Sequence, residues 1–147
     1  MHDAMSEPAK FESRTGKVTV SSKKLFDYIT DMRNFKQFLP GKTIENWEAT
    51  RENCTFEVFP VGKASLGIVE KEANSLVKFG GDGLNGTQFF LWVQIKEAAP
   101  GDTRVKLTIK ADINPVLRAM AQKPIKDFLE KLMTGIESFE GWDEAME

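Results

Sequence analysis

Between Thr43 and Ala111 hydrophobic residues recur at alternate positions, and from Asn114 to about Phe139 they recur every third or fourth. The first period belongs to strands with one buried face, the second to an amphipathic helix. Six strands are predicted: Ile44 to Ala49, Cys54 to Phe59, Lys63 to Glu72, Leu76 to Phe79, Thr87 to Ile95 and Thr103 to Ala111. Polar or Gly/Pro-bearing turns separate them, as in an antiparallel meander. The last strand has the clearest phase, with Val105, Leu107, Ile109 and Ala111 on one face and Arg104, Lys106, Thr108 and Lys110 on the other. By the same rule Phe89, Leu91, Val93 and Ile95 point inward. So do Val77 and Phe79, Leu66 and Ile68, and Phe56 and Val58, although a single bulge would reverse any of these assignments.

Before the meander, Phe11 to Val20 reads as a further strand with Gly16 at a bulge, preceded by a polar arm over residues 1–9. Ser21 and Ser22 offer an N-cap to a short helix carrying Leu25, Phe26, Ile29 and Met32, and a second helical turn near Asn34 carries Phe35, Phe38 and Leu39. Pro40-Gly41 ends it. Asn114-Pro115 opens the long helix, because Asn accepts from free amides and Pro gives up a donor that would be unpaired there anyway. Its apolar stripe is Leu117, Ala121, Ile125, Phe128, Leu132, Ile136 and Phe139, interrupted at Pro124. A helix kinked at Pro124 either leaves a cavity over the sheet or bends to follow a packed core; the sequence supports both readings. The expected architecture is α+β: a seven-stranded curved antiparallel sheet around the C-terminal helix, with two short helices between strands one and two. A single domain over residues 10–140 accommodates it.

Composition removes several functions. With 147 residues, a formal charge of -2 and a pI near 5.6, nothing favours nucleic acid as a partner. The apolar runs are too short to span a bilayer and the N-terminus is polar, so a cytoplasmic protein without integral membrane association is expected. The single histidine, His2, sits on the arm, and the single cysteine, Cys54, alternates with Phe56 and Val58 as a buried apolar residue would. No catalytic residue, metal site or cofactor is therefore assigned. Gly41-Lys42-Thr43 lacks the upstream glycine of a phosphate loop, and Gly80 to Gly86 reads as a glycine-rich hairpin turn. Glu70 shares the parity of Leu66 and Ile68, which would aim a carboxylate inward.

The run Ser21-Ser22-Lys23-Lys24-Leu25-Phe26-Asp27-Tyr28-Ile29-Thr30-Asp31, then Asn34-Phe35-Lys36-Gln37-Phe38-Leu39-Pro40, then a meander and a long terminal helix, resembles the SRPBCC superfamily. That superfamily includes START-type lipid-transfer domains, birch-pollen-allergen-like proteins, coenzyme Q-binding proteins and polyketide cyclases. The resemblance extends from about Lys10 to Phe139 and implies a helix-grip fold with an apolar ligand chamber. Cyclase and dehydratase members place polar catalytic groups in that chamber, whereas the inward positions here are almost entirely apolar. The leading expectation is therefore binding or transport of a hydrophobic small molecule such as a lipid, isoprenoid or aromatic metabolite. The chamber is expected to be bordered by Phe56, Leu66, Ile68, Phe79, Phe89, Leu91, Leu107, Met120 and Phe128. The alternatives are a cyclase or dehydratase using Glu70, Ser65 or Thr87, and an adaptor. Phe90 and Trp92 have outward parity and would suit a homodimer contact through the outer sheet face, unless the stems of Lys106 and Lys110 cover them.

Overall fold

The computed structural model describes residues 8–38, 44–58, 62–83 and 87–142. His2, the Pro40 to Thr43 turn, Phe59 and Leu84 to Gly86 lie outside the described residues, as does the side chain of Val58. The strands are β1 (Ala9–Glu12), β2 (Gly16–Val18), β3 (Ile44–Ala49), β4 (Asn53–Val58), β5 (Gly62–Glu72), β6 (Leu76–Gly83), β7 (Thr87–Ala99) and β8 (Asp102–Ala111). Two helices, α1 (Ser22–Ile29) and α2 (Pro115–Ser138), and a 3-10 helix (Met32–Phe38) complete the fold.

All strand pairs are antiparallel, in the order β1-β8-β7-β6-β5-β4-β3, with β2 also on β8. The sheet thus has eight strands rather than the expected seven, because the first is broken in two. Glu12 stands opposite Thr108 and Gly16 opposite Val105, so the outer chain carries one residue more than β8 across the gap. Ser13 spans the break: its N–H donates to the Leu107 carbonyl at 2.9 Å, and its hydroxyl accepts from the Leu107 N–H at 2.9 Å. The arm is also shorter than expected, since Ala9 is already a buried sheet residue paired with Ala111.

Gly80 to Gly83 is strand, not turn. A Cβ on Gly81 would strike the Ser65 carbonyl on β5, so glycine here lets two backbones approach rather than reversing the chain. Inward parity holds through Cys54, Phe56, Leu66, Val77, Phe79, Leu91, Val93, Ile95, Val105, Leu107, Ile109 and Ala111, all buried. It fails at Glu70. Ile68 pairs with Phe79 and Glu70 with Lys78, so Val69 is an inserted residue and Glu70 turns outward into solvent.

Both capping expectations hold: the Ser21 side chain accepts from the Lys24 N–H at 3.1 Å, and Asn114 accepts from the Leu117 N–H at 2.8 Å with Pro115 behind it. Helix α2 runs unbroken through Pro124. Its buried side chains are Ala121, Ile125, Leu129, Leu132, Met133 and Ile136; the stripe read from the sequence lacked Leu129 and Met133, while Leu117, Phe128 and Phe139 are only half-buried. The close backbone neighbours of α2 are β1, β2 and the 3-10 helix, so it lies along one side of the sheet and stands off the strands beyond β8.

Candidate functional site

Where α2 stands off, side chains rather than backbone must fill the space. Phe56 and Leu66 reach in from β4 and β5, Phe89 and Leu91 from β7, Ile109 from β8, and Pro124, Ile125 and Phe128 descend from α2. They leave a cavity of about 60 Å³, completed by Ala64 and Gly83, and no lining residue carries a polar side chain. The hollow is partly open to the surface rather than enclosed, and its lining offers water no hydrogen-bond partner. Pockets for drug-sized ligands run from about 300 to 1,000 Å³, so a bound molecule must push side chains aside. Phe89 and Phe128, both half-buried, are the lining rings least fixed by packing.

Of the nine residues expected at the chamber, Phe56, Leu66, Phe89, Leu91 and Phe128 line this cavity. Phe79 and Leu107 are fully buried but do not reach it; the Phe79 ring instead packs edge-on against Phe35 at 5.8 Å between centroids. Ile68 is half-buried beside the inserted Val69 and is not part of the lining. Met120 is a correction: it is 69% exposed, because α2 turns the face between Val116 and Asp127 away from the sheet. Ala64, Gly83, Ile109, Pro124 and Ile125 line the cavity and were not in the expected set, although Ile109 and Ile125 were read on the inward faces of their elements. Ala64 has the parity of Leu66 and was legible in principle, while Gly83 was hidden by being read as part of a turn.

Among the described residues no polar side chain lines the cavity. The Cys54 thiol is buried, and burial pushes its pKa up to about 12, so it stays protonated and unreactive. Ser65 donates to Asp82 at 2.9 Å on the other face of the sheet, Glu70 is exposed, and the Thr87 side chain lies outside the described residues. Among the described residues no three His, Cys, Asp or Glu side chains are grouped to hold a metal ion.

Larger hollows among the described residues are polar surface grooves, two of them above 500 Å³. One of about 530 Å³ lies between α1, the 3-10 helix, the bend bearing Arg51, and Lys71 near the end of β5. Its carboxylates are already engaged: Asp27 with Lys23 at 2.7 Å, and Asp31 with Arg33 at 2.6 Å, a bond that holds the Asp31 carboxyl below its ordinary range. The other, of about 610 Å³, runs beside β3 where Asn46, at φ 56°, donates to Glu57 at 2.8 Å.

On the outer face Phe90 is 38% exposed and its ring lies 5.9 Å from that of Trp92. Lys78 sits over Phe90 at 4.5 Å and over Trp92 at 5.2 Å, and Lys110 lies over Trp92 at 5.6 Å. Lys110 covers Trp92, as expected of it. Lys106 does not, being drawn to Glu12 at 3.1 Å, and Lys78 takes its place because it is the direct cross-strand partner of Trp92.

No protein-family model matches the chain, and no curated protein matches it in sequence. Solved structures do match in shape. A START superfamily protein from Mycobacterium smegmatis aligns with TM-score 0.64 at 14% identity, over 87% of this chain and 94% of that one. A Thermus thermophilus protein gives 0.65 at 17% identity over 87% and 94%, and truncated norcoclaurine synthase from Thalictrum flavum gives 0.65 at 10% over 91% and 98%. These solved structures therefore share the fold of this chain, a curved antiparallel sheet against a long C-terminal helix.

Proposed function

We propose that this protein binds a hydrophobic small molecule in the cavity between α2 and the sheet. The observation that carries the reading is the wholly apolar lining at the place where the helix leaves the sheet. A ligand portion burying roughly 200 Å² of apolar surface there gains about 5 kcal/mol at about 25 cal/mol per Å². Part of that gain is spent on displacing Phe128 and Phe89. With no polar partner inside, the buried part must be hydrocarbon or an unsubstituted ring, and any polar group stays at the rim.

Catalysis in the same space is the weaker reading. One solved neighbour is a norcoclaurine synthase, so this fold serves at least one enzyme, but among the described residues no acid, base or hydroxyl lines the cavity. The test is native mass spectrometry of freshly purified protein, followed by solvent extraction, with titration of an environment-sensitive apolar dye. A retained apolar molecule, or saturable dye binding displaced by fatty acid, supports the proposal. The absence of both a retained ligand and saturable dye binding overturns it.

A further inference from the structure

Helix α2 carries Arg118, Gln122 and Lys126 at successive fourth positions, a single polar row along one flank. The row faces the edge of β1 across a cleft of about 420 Å³, whose opposite wall is the unbroken run from Lys10 to Arg14. Side chains on a strand alternate in direction, and Phe11 is buried in the core, so a wall of successive residues is the backbone edge itself. β1 ends the strand order, and no strand among the described residues pairs with its outer side. The Ser13 N–H donates to the Leu107 carbonyl of β8. Peptide groups of alternate residues point the same way, so Phe11 faces β8 as Ser13 does, while Lys10 and Glu12 turn their N–H and C=O groups toward the cleft.

Four cations and one carboxylate line this cleft, in a protein whose net charge is -2. Glu12 is held by Lys106 at 3.1 Å and by Lys10 at 3.5 Å, and Arg14 by Glu137 at 2.7 Å and Glu130 at 3.2 Å. With those partners included, five cations stand against three carboxylates. The surplus is Arg118 and Lys126, which make no ion pair among the described residues. Their Cα atoms are about 12 Å apart along the helix axis, a span that two long side chains close onto one anion. A guanidinium and an ammonium suit a phosphate, which takes a bidentate bond from the first and a point charge from the second.

Bare phosphate would face the carbonyls of Lys10 and Glu12, which repel it. A ligand with hydroxyls beside its phosphate meets the whole edge, donating to those carbonyls and accepting from the neighbouring N–H groups and the Gln122 amide. Phe11 is the one hydrophobic residue of the lining and it is buried, so the cleft offers no ring for a base to stack on and no apolar side chain to enter a bilayer. We propose that the cleft between β1 and α2 binds a soluble phosphorylated polyol of the sugar-phosphate class, with Arg118 and Lys126 holding the phosphate and Gln122 and the β1 edge meeting the hydroxyls. Pro124 and Phe128, which line the apolar cavity, occupy another flank of α2, so this site stands or falls independently of the cavity.

The experiment is amide NMR of the full chain, titrated at low salt with glucose-6-phosphate, with glucose and with inorganic phosphate. Saturable shifts with the ester are expected at Lys10, Glu12 and Gln122, with either half alone binding about tenfold more weakly and with a several-fold loss at about 0.3 M salt. Arg118→Gln/Lys126→Gln should weaken binding about tenfold or more, and so should Gln122→Glu, which sets a carboxylate between the two cations. Lys123→Gln, at an exposed position paired with Asp127 and outside the cleft, should leave binding within about twofold. All three variants alter exposed side chains, and each is checked for an unchanged melting profile. No saturable shift with the ester overturns the proposal, as does binding unchanged in both cleft variants. Inorganic phosphate binding as tightly as the ester, or shifts centred on Arg51 and Lys71 beside α1, would equally overturn it.

Discussion

The two ends of α2 meet the rest of the molecule in opposite ways. Toward its C-terminus Leu129, Leu132, Met133 and Ile136 are all buried, and the backbone itself makes contact: a Cβ on Gly135 would collide with the Phe38 carbonyl, and one on Gly16 with the Met133 sulfur. Beyond it, Phe139 and Trp142 close over Tyr28 and Phe38, with ring centroids 4.8 to 5.8 Å apart. Toward the N-terminus Ala121 is the first buried residue, Val116 and Met120 face solvent, and the adjacent core contains a void. One helix is thus anchored at one end and loosely seated at the other. A domain can have a rigid core and still yield locally, provided the yielding part is where contacts are fewest.

Breaking the anchored end should have the largest effect. Phe38→Ala removes a fully buried ring that touches four other aromatic rings, and a loss of about 3–5 kcal/mol in denaturant melts is expected. Gly135→Ala should cost about 1–3 kcal/mol, because the helix must retreat from the 3-10 helix to admit the methyl group. Phe128→Ala, at the loose end, should cost only about 1–2 kcal/mol, since the ring is half-buried and already borders empty space. It should also enlarge the cavity and tighten binding of a bulky apolar dye. A penalty for Phe128→Ala equal to that of Phe38→Ala would erase the distinction between the two ends.

The smallest expected effect is electrostatic. Glu137 near the anchored end accepts from Arg14 at 2.7 Å and from the Lys17 N–H at 3.0 Å, and these bonds hold its carboxyl below the ordinary range, against a burial that pushes the other way. A carboxylate depressed in the folded state contributes stability above its unfolded pKa, about 4.3, and loses it as pH falls through the lower folded value. Arg14 is 42% exposed, so solvent screens the pair and the contribution is about 0.2–1 kcal/mol. Glu137→Gln should therefore lower stability by that amount at neutral pH and flatten the loss in denaturant melts below about pH 4. A wild type and variant with parallel acid profiles would show that the ion pair is inert.

Much of the fold was legible in the chain, whereas the asymmetry of α2 was not, and the misses have identifiable causes. Side-chain period is a local property, so strand parity in β7 and β8 and the caps at Ser21 and Asn114 could be read directly. The irregularity in the first strand was anticipated as a bulge at Gly16, though not as a full break spanned by Ser13; the insertion at Val69 could not be read, because it depends on register against a partner strand and reverses parity downstream. That is why Glu70 moved from a cavity-facing candidate to an exposed residue. The glycines Gly80 to Gly83 look like a turn in isolation and become strand only because β5 must approach closely. At the site the aromatic lining was visible from parity, whereas Met120 was misplaced because a stripe stepping by three or four does not say how far along its length a helix stays on the sheet.

Entry of apolar molecules between the loose half of α2 and the sheet is tested most directly by methyl NMR of the wild-type protein, titrated with a medium-chain fatty acid. Saturable shifts should concentrate at Leu66, Leu91, Ile109 and Ile125, while Leu25 and Leu132 at the packed end stay unmoved. No saturable shift, or shifts centred on the packed end, would contradict such entry.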